Sequence, residues 1–487
     1  MKTIATTQLP QQVIVPTYDR NKLATKIVHF GFGAFHRAHQ GVYTDELANQ
    51  FNSDWGICEV SLFSGKPLLQ QLQSQDHLFS VVEKNAIESV IKIIGCVRES
   101  MHPDINGKQA IIDKMVEPQV AIVSLTITEK GYCSDTNTGQ LNTHHPLIQQ
   151  DLLTPASPNS VIGYIVQALK IRRNKGLSGF TVMSCDNLQE NGRVTRDAIV
   201  GFARLLDESL ADWIQENVTF PSTMVDRIVP AVTDDTSEEI TNLLGVNDPC
   251  GVVCESFRQW VIEDNFVAGR PDWNLAGAEF VSDVIPFEEM KLRMLNGSHS
   301  FLAYLGYLAG YEYIADTMAD PAFKKAAITL MLSEQAPTLK VPKGTDLASY
   351  ASSLIDRYEN IHIKHRTWQI AMDGSQKLPP RLLNSIRYHL KEGSDFRHLA
   401  LAVAAWMRYV SGLNEQGEVI DVRDPLAAPL KAICDKHGSN ISVVKALILV
   451  EDIFAKDVIN NDVFISSIET AYQTLLLKGA KKSVEEL

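Results

Sequence analysis

The fold follows from one stretch of the chain, Lys26-Ile-Val-His-Phe30-Gly31-Phe32-Gly33-Ala34-Phe35-His36. Its first five residues predict a short buried strand, and the two glycines predict a tight turn into a helix. Strand, glycine turn and helix in this order are typical of the start of a dinucleotide-binding unit, where pyrophosphate approaches the helix N-terminus. The third glycine of the usual fingerprint is missing, because His36 stands in its place.

Strand and helix patterns alternate through the first half of the chain. Further strands are predicted at 56–62, 120–125 and 179–185, helices at about 160–174 and 190–209, and a hairpin within 78–95. From about residue 286, long helical periodicities replace the alternation. The sequence therefore predicts an α/β fold: a dinucleotide-binding Rossmann-type domain over residues 1–283, and an α-helical substrate-binding and catalytic domain over residues 284–487.

Composition narrows the class of protein. The 487 residues, 45% of them hydrophobic, can bury more than one core, and a net charge of -13 argues against nucleic acid or an anionic membrane as the main partner. No segment matches a membrane span or a secretory signal. Seven scattered cysteines suggest reduced thiols, so we expect a cytoplasmic protein. Cys250 and Cys254 form a lone CxxxC, and we expect no metal site.

A second stretch carries candidate chemistry. It reads Lys291-Leu-Arg-Met-Leu-Asn296-Gly-Ser-His299, and the apolar run that follows it predicts a buried helix. At the ~100° per residue of an α-helix, Lys291, Asn296 and His299 share one arc, together with Glu288. Four polar groups at the mouth of a buried helix suggest a site. A helix whose first turn is simply solvated explains this stretch alone equally well.

Polar residues also follow the predicted strands. Thr126 comes directly after the strand at 120–125, and Asn187 follows the strand at 179–185. Asp226 lies in a later segment that is expected to reach the same edge of the sheet. The carboxyl ends of parallel strands line the cofactor crevice in open α/β sheets. On local grounds, a turn-forming role for Asn187 is an equal alternative.

The residues do not decide between NAD and NADP. Glu59, the acidic residue nearest to the expected ribose position, lies inside a predicted strand. Lys66, beyond the end of that strand, could meet a 2′-phosphate instead.

Together, these motifs resemble the long-chain mannitol dehydrogenase family over essentially the whole chain. The resemblance rests on the glycine turn together with Thr128-Glu-Lys-Gly-Tyr132, Cys185-Asp-Asn187, Met224-Val-Asp-Arg-Ile-Val-Pro230 and Lys291-x4-Asn296-x2-His299. The phrases Trp55-Gly-Ile-Cys-Glu59, Phe257-Arg-Gln-Trp-Val-Ile-Glu-Asp-Asn265 and His365-Arg-Thr-Trp-Gln-Ile-Ala-Met-Asp373 bring the chain closest to the hexuronate branch.

The resemblance implies a metal-independent oxidoreductase that uses NAD. It implies that Lys291 is the general acid/base, that Asn187 and Asn296 flank the reacting oxygen, and that His299 orients the substrate. The residues expected to hold the cofactor are Gly31, Phe32, Gly33, Ala34, Phe35, Thr126 and Asp226.

For the substrate, the resemblance to the hexuronate branch implies interconversion of D-fructuronate and D-mannonate. Gln369 stands where polyol-oxidising relatives carry an arginine, which favours a changed sugar terminus. Of the basic residues nearby, Arg366 and Lys377 are the expected substrate contacts, and Lys364 and Arg381 belong to the same basic stretch. Tagaturonate reduction and mannitol or polyol 2-dehydrogenation are the alternatives within the family.

The proposed chemistry sets a condition on Lys291. The base must be neutral to take a hydroxyl proton while hydride leaves, whereas a free lysine, with a pKa of ~10.4, is protonated at pH 7. Burial at the mouth of an apolar helix lowers a lysine pKa. A catalytically idle dinucleotide-binding sensor is the alternative from another class, and the set of lysine, asparagines and histidine argues against it. We expect a monomer or a small homo-oligomer.

Overall fold

The computed structural model describes residues 3–85, 87–135, 139–341 and 344–487. They form two compact units, Met1–Ile285 and Pro286–Leu487. The first unit combines strands with helices, and in its described residues the second unit is built from helices and loops. The predicted fold class, a Rossmann-type N-terminal part followed by a mainly α-helical part, is confirmed.

The strands all lie in the first unit of the described chain. They are β1 (Ala24–Phe30), β2 (Trp55–Val60), β3 (Phe79–Lys84), β4 (Ser89–Ile94), β5 (Val97–Met101), β6 (Ile122–Leu125), β7 (Thr181–Ser184), β8 (Thr223–Asp226), β9 (Val252–Glu255), β10 (Gln259–Glu263) and β11 (Glu279–Val281). The helices of this unit are α1 (Ala34–Ala38), α2 (Gln40–Phe51), α3 (Lys66–Ser74), α4 (Pro103–Asn106), α5 (Lys108–Val116), α6 (Thr128–Gly131), α7 (Pro146–Leu153), α8 (Val161–Asn174), α9 (Asn191–Leu206), α10 (Glu208–Asn217) and α11 (Asp234–Leu244), with 3₁₀ turns at Arg20–Lys22 and Trp273–Ala276.

A five-stranded sheet organises the first unit. Its strand order is β5-β2-β1-β6-β7, and all four neighbouring pairs are parallel. The last four residues of β1 are buried, as expected for a central strand covered on both faces. The order reverses between β1 and β6, and in such sheets ligands bind at the carboxyl ends of the strands at this switch point.

The other strands form two small sheets. The hairpin predicted within 78–95 is confirmed, because β3 and β4 pair antiparallel from Phe79↔Ile94 to Lys84↔Ser89. Strand β9 joins this hairpin in parallel, and β8, β10 and β11 make the other three-stranded sheet. The predicted helix at 160–174 is α8, which begins where Ser160 Oγ accepts a hydrogen bond from the Gly163 N–H, a typical N-cap.

The second unit is a helical assembly around one large apolar core. Its α-helices are α12 (Ile285–Met290), α13 (Ser298–Leu308), α14 (Ile314–Met318), α15 (Pro321–Thr329), α16 (Leu347–Tyr358), α17 (Thr367–Ala371), α18 (Gly374–Leu378), α19 (Asn384–Glu392), α20 (Arg397–Tyr409), α21 (Ala427–His437), α22 (Ser442–Leu447), α23 (Lys456–Ile459) and α24 (Asp462–Glu485). In the described residues, π-helical segments interrupt them at Lys291–Gly297, Leu330–Gln335 and Pro379–Leu383, and a 3₁₀ turn covers Ala336–Thr338. In the described part of the chain, no helix combines the length and the apolar character that crossing a membrane requires.

Candidate active site

Lys291 begins a π-helical segment between α12 and α13. The segment Lys291–Gly297 continues both α-helices without a break, so one helical rod runs from Ile285 to Leu308. A π-helix closes hydrogen bonds from i to i+5, so it turns less per residue than an α-helix. The 100° spacing used to place Lys291 and Asn296 on one arc is therefore wrong over this segment.

Burial sets Lys291, Asn296 and His299 apart from an ordinary solvated helix end. They expose 8%, 9% and 6% of their surface, and the α13 residues that follow His299 are almost all buried, as predicted. Charged and polar side chains stay buried only when something satisfies them. The solvated first turn, the alternative considered for this stretch, is excluded.

Two atoms of this group are buried without a hydrogen-bond partner. Asn296 Nδ2 and His299 Nε2 have none among the described residues. Leaving a buried polar group unsatisfied costs roughly 1–3 kcal/mol, so such a group needs a partner from outside the chain, such as a ligand or a water molecule. An amide nitrogen is a donor, and an imidazole nitrogen can donate or accept, so both atoms suit the hydroxyl and carbonyl oxygens of a sugar.

The ring of His299 lies among aromatic and cationic neighbours. Its centroid is 4.4 Å from that of Tyr358 and 5.1 Å from that of His365. Burial lowers the pKa of His299 well below the ordinary histidine value, and the nearby His365, Arg357 and Arg381 lower it further. At neutral pH the imidazole is therefore uncharged, which suits a residue that orients a hydroxyl group.

The two basic residues predicted to contact substrate have different surroundings. Lys377 Nζ donates to the Met372 carbonyl at 2.5 Å, and its side chain is 24% exposed. The Arg366 side chain is 57% exposed, and its Nε lies 3.7 Å from Glu312 Oε1. Arg366 thus faces an acidic residue at the surface and is not drawn into the buried group.

In the first unit, the glycine turn lies at the switch point of the parallel sheet. Gly31 has φ +115°, and a Cβ there would come 2.1 Å from the Thr126 carbonyl oxygen, so only glycine fits. Thr126 Oγ1 donates to the Gly31 carbonyl at 2.8 Å, which ties the ends of β1 and β6 together. Beside Gly33, by contrast, a Cβ would meet only the Gly31 oxygen at 3.9 Å, so the backbone there is open to a ligand.

Phe32, Ala34 and Phe35 surround this turn. The Phe32 ring packs edge-on against Phe79, with centroids 5.6 Å apart, and the Phe35 ring stacks on His39 at 4.8 Å. Ala34 is the first residue of α1, after the N-cap Gly33, which offers no side-chain cap. The turn is thus held rigidly by aromatic packing while its backbone N–H groups carry no capping side chain.

Asn187 lies three residues beyond β7, at its carboxyl end, and is exposed. Its neighbour Asp186 accepts hydrogen bonds from Ile127 N at 2.9 Å, Thr128 N at 3.0 Å and the Tyr132 hydroxyl at 2.7 Å. Asp186 thereby joins the segments that follow β6 and β7. Thr128 adopts a left-handed φ of +61°, a strained conformation of the kind that clusters at functional sites.

The last of the cofactor residues predicted from the sequence, Asp226, ends β8. It is 4% exposed and pairs in register with Gln259 of β10. Asp226 therefore belongs to a different sheet from the one that carries the glycine turn.

Sequence reasoning missed a buried polar cluster under the glycine turn. His36 Nε2 lies 2.6 Å from Glu59 Oε1, and the rings of His29 and His36 stack with centroids 3.5 Å apart. Burial raises the pKa of Glu59 to about 7 and lowers those of His29 and His36 to about 3. His36 stands in place of the third fingerprint glycine, and its side chain contacts Glu59, which is buried in β2.

This cluster is also the one group in the described chain whose ligand atoms lie close enough together to hold a metal ion, within 4.8 Å of one another. Three of its four imidazole nitrogens have protein partners, whereas His36 Nδ1 and Glu59 Oε2 have no hydrogen-bond partner among the described residues. His29 Nδ1 lies 2.8 Å from Ser124 Oγ, and His29 Nε2 lies 2.9 Å from Thr126 Oγ1. These hydrogen bonds give the cluster a structural role, because they hold Gly31 and Thr126 in place from below.

Comparison with known proteins agrees with these observations. Residues 25–275 match the model of the mannitol dehydrogenase Rossmann domain, and residues 283–476 match the model of the mannitol dehydrogenase C-terminal domain. The chain is 56% identical to D-mannonate oxidoreductase of Escherichia coli (strain K12) over 489 residues, covering 100% of each protein.

Two solved structures are similar over nearly the full length. One is Pseudomonas fluorescens mannitol 2-dehydrogenase in a ternary complex with NAD and D-mannitol, with TM-score 0.87, 39% identity and coverage of 98% of this chain and 97% of that one. The other is D-sorbitol dehydrogenase in substrate-free form, with TM-score 0.90, 33% identity and coverage of 98% of both chains. With both of its halves matched by the models of one family, this chain belongs to the mannitol dehydrogenase family.

Proposed function

We propose that this protein is an NAD-linked oxidoreductase that interconverts D-fructuronate and D-mannonate. The observation that carries the proposal is the buried group at the start of α13. There, Lys291 shares a helix with two polar atoms, Asn296 Nδ2 and His299 Nε2, that have no partner among the described residues. A base, an amide donor and a neutral imidazole are what removal of a proton from a secondary alcohol requires.

The cofactor is proposed to bind to the first unit. We propose that the pyrophosphate lies against the backbone of Gly33, where no side chain is in the way. Gly31 and Thr126 lie next to it at the switch point. Phe32, Ala34, Phe35 and Asp226 complete the proposed set. Bound NAD supplies a carbon that takes up or gives hydride. We propose this role for residues 1–283, and substrate binding with catalysis for residues 284–487.

In the direction of alcohol oxidation, Lys291 Nζ takes the hydroxyl proton, and in reduction the same atom returns it to the ketone oxygen. Asn296 Nδ2 donates a hydrogen bond to this oxygen and stabilises the developing negative charge. Asn187 is proposed as a second amide donor. Removing one such donor typically raises the barrier by ~2.7–4 kcal/mol. His299 Nε2 holds a neighbouring substrate hydroxyl in place.

The proposed substrate carries a carboxylate. The 56% identity with D-mannonate oxidoreductase over the full length supports this choice, as does Gln369, at the position where the family resemblance implies an arginine in the polyol branch. Positive charge around His299, in a protein of net charge -13, supports it independently. The expected partner is thus a small hexuronate or aldonate that is held by basic residues of the second unit. Arg366 and Lys377 are the two contacts predicted from the sequence.

Steady-state oxidation of NADH with D-fructuronate, D-tagaturonate and D-fructose tests the proposal. We expect the highest kcat/KM with fructuronate. Comparable values with fructose and fructuronate would move the enzyme to the polyol branch, and a preference for tagaturonate would reassign the epimer. An absence of turnover with all three, together with tight NADH binding, would favour the idle sensor.

We also propose that the enzyme works in the cytoplasm, as a monomer or small homo-oligomer. Its seven cysteines are all buried free thiols, which fits a reducing compartment.

A further inference from the structure

Arg381 lies on the π-helical segment Pro379–Leu383, which packs against the π-helical segment that carries Lys291 and Asn296. Its Nη1 donates to the Asn296 carbonyl at 3.4 Å and to Ser300 Oγ at 3.3 Å. A Cβ on Gly297 would come 2.8 Å from the Arg381 carbonyl oxygen, so the two backbones touch there. The guanidinium is therefore fixed beside the backbone of Asn296.

Arg381 forms no ion pair with the described residues, and Asp373 is the one carboxylate whose charge raises its pKa. No carboxylate of the described residues forms an ion pair with it, and its Nε and Nη2 take part in no hydrogen bond. Two other arginines of this unit are paired: Arg293 with Glu289 at 3.1 Å, and Arg387 with Asp457 at 2.9 Å. A half-buried cation without an ion pair is unfavourable, which makes Arg381 an exception that needs explaining.

The surroundings of Arg381 favour an anion. Burial lowers its pKa to about 10, so it remains charged at neutral pH, and the same cation lowers the pKa of the neighbouring His299. Nε and Nη2 of a guanidinium form a planar pair of donors that matches the two oxygens of a carboxylate. Arg366, by comparison, has its acidic neighbour Glu312 and is mostly exposed.

We propose that Arg381 binds the substrate carboxylate through Nε and Nη2 and thereby selects sugar acids over neutral sugars. This inference rests on the proposed function and names the residue responsible for its substrate class. Lys291 and Asn296 then act on the oxygen of the reacting carbon, towards the other end of the sugar.

The test compares D-fructuronate with D-fructose, whose CH₂OH group replaces the carboxylate. Arg381→Gln should lower kcat/KM for fructuronate by about 100-fold, mainly through KM, and leave the value for fructose within a few fold, because a charge-assisted bond is lost. Arg381→Lys keeps the charge without the planar fork and should lose about tenfold. NADH affinity, measured by fluorescence, should not change in either variant and reports that the protein is folded.

Arg387→Gln is the matched control, since Arg387 follows on α19 and pairs with Asp457 at the surface. The inference is overturned if both Arg381 variants keep the wild-type preference for the acid, if they lower activity with both sugars equally, or if Arg366→Gln abolishes the preference instead. In these cases the proposed function stands, because the wild type still prefers fructuronate. A wild type with no such preference overturns the proposed function and this inference together.

Discussion

Gly297 lies directly against the side chain of Gln335: a Cβ at residue 297 would come 2.2 Å from Gln335 Nε2. Two π-helical segments meet at this contact, one ending at Gly297 and the other at Gln335. Absence of a side chain at residue 297 is thus what allows the segment that carries Lys291 and Asn296 to approach its neighbour.

Gly297→Ala should therefore destabilise the protein and displace the catalytic segment. Overpacking of this kind costs about 1–3 kcal/mol, and we expect a lower midpoint of urea unfolding together with a kcat reduced at least tenfold. Gly201→Ala in α9 is the control, because its Cβ would meet Leu141 at an ordinary 3.4 Å and alanine favours a helix interior. Equal stability of the two variants would show that Gln335 moves aside without consequence.

Lys291→Ala should leave folding and NADH affinity nearly intact and lower kcat by roughly 10²–10⁴, the usual contribution of general acid–base catalysis. Lys391→Ala, at the exposed end of α19, serves as the control. Small primary amines added to the alanine variant should restore part of its activity. If Lys291→Ala keeps more than about a tenth of the wild-type kcat, the proton passes through another group, and His299 becomes the candidate.

NADH should be preferred over NADPH by tenfold or more in kcat/KM. The candidate for a 2′-phosphate, Lys66, lies at the start of α3 and approaches Asp104 at 3.5 Å, and no arginine cluster follows β2. Lys66→Ala should accordingly leave the ratio of the two cofactors unchanged. A better kcat/KM with NADPH, reversed by this substitution, would assign Lys66 to the phosphate.

Acid should destabilise the fold through its buried histidines. Burial lowers the pKa of His29, His36 and His39 to about 3 and that of His365 to about 4. Because the unfolded chain binds these protons near its ordinary pKa of ~6.5, stability is fully present above that pH and is lost as pH falls towards the folded-state values. Each histidine contributes at most ~1.4 kcal/mol per pH unit within this window.

Urea unfolding between pH 7 and pH 5 measures this slope. His39→Phe should make it shallower, because phenylalanine keeps the packing against Tyr43 and Trp260 without a titrating group. His144→Gln, at an exposed position, should leave the slope unchanged. A slope that is the same in wild type and His39→Phe would mean that His39 keeps its ordinary pKa in the folded protein.

The sequence predicted those features that depend on local pattern. The switch-point glycine turn, the parallel strands and the buried helix after His299 each follow from residues that are adjacent in the chain. Asn187 was likewise placed at the end of a strand from its neighbours alone, and β7 does end three residues before it.

Features that depend on distant contacts were missed. The ring of His29 in β1 stacks on that of His36 in α1, and His36 is hydrogen-bonded to Glu59 in β2. No local sequence pattern indicates that these three residues meet. The π-helical segment that ends at Gly297 packs against segments that carry Gln335 and Arg381, which are distant in the chain. The periodicity of apolar residues does not indicate such packing. The long helix α24, by contrast, follows a local pattern, since Phe464, Ile468, Tyr472 and Leu475 have helical spacing behind the N-cap Asn461.

The π-helical segment makes the position of Lys291 tolerant of a change in chain length. A π-turn holds one residue more than the α-turn it replaces, so deleting a single residue between Lys291 and Asn296 would restore ordinary winding and leave the α13 core in place. The two residues are one π-turn apart, at i and i+5, and after the deletion they would be one α-turn apart, so the lysine would stay on the same side of the helix. A family member with one residue fewer between them would therefore keep both the fold and its base.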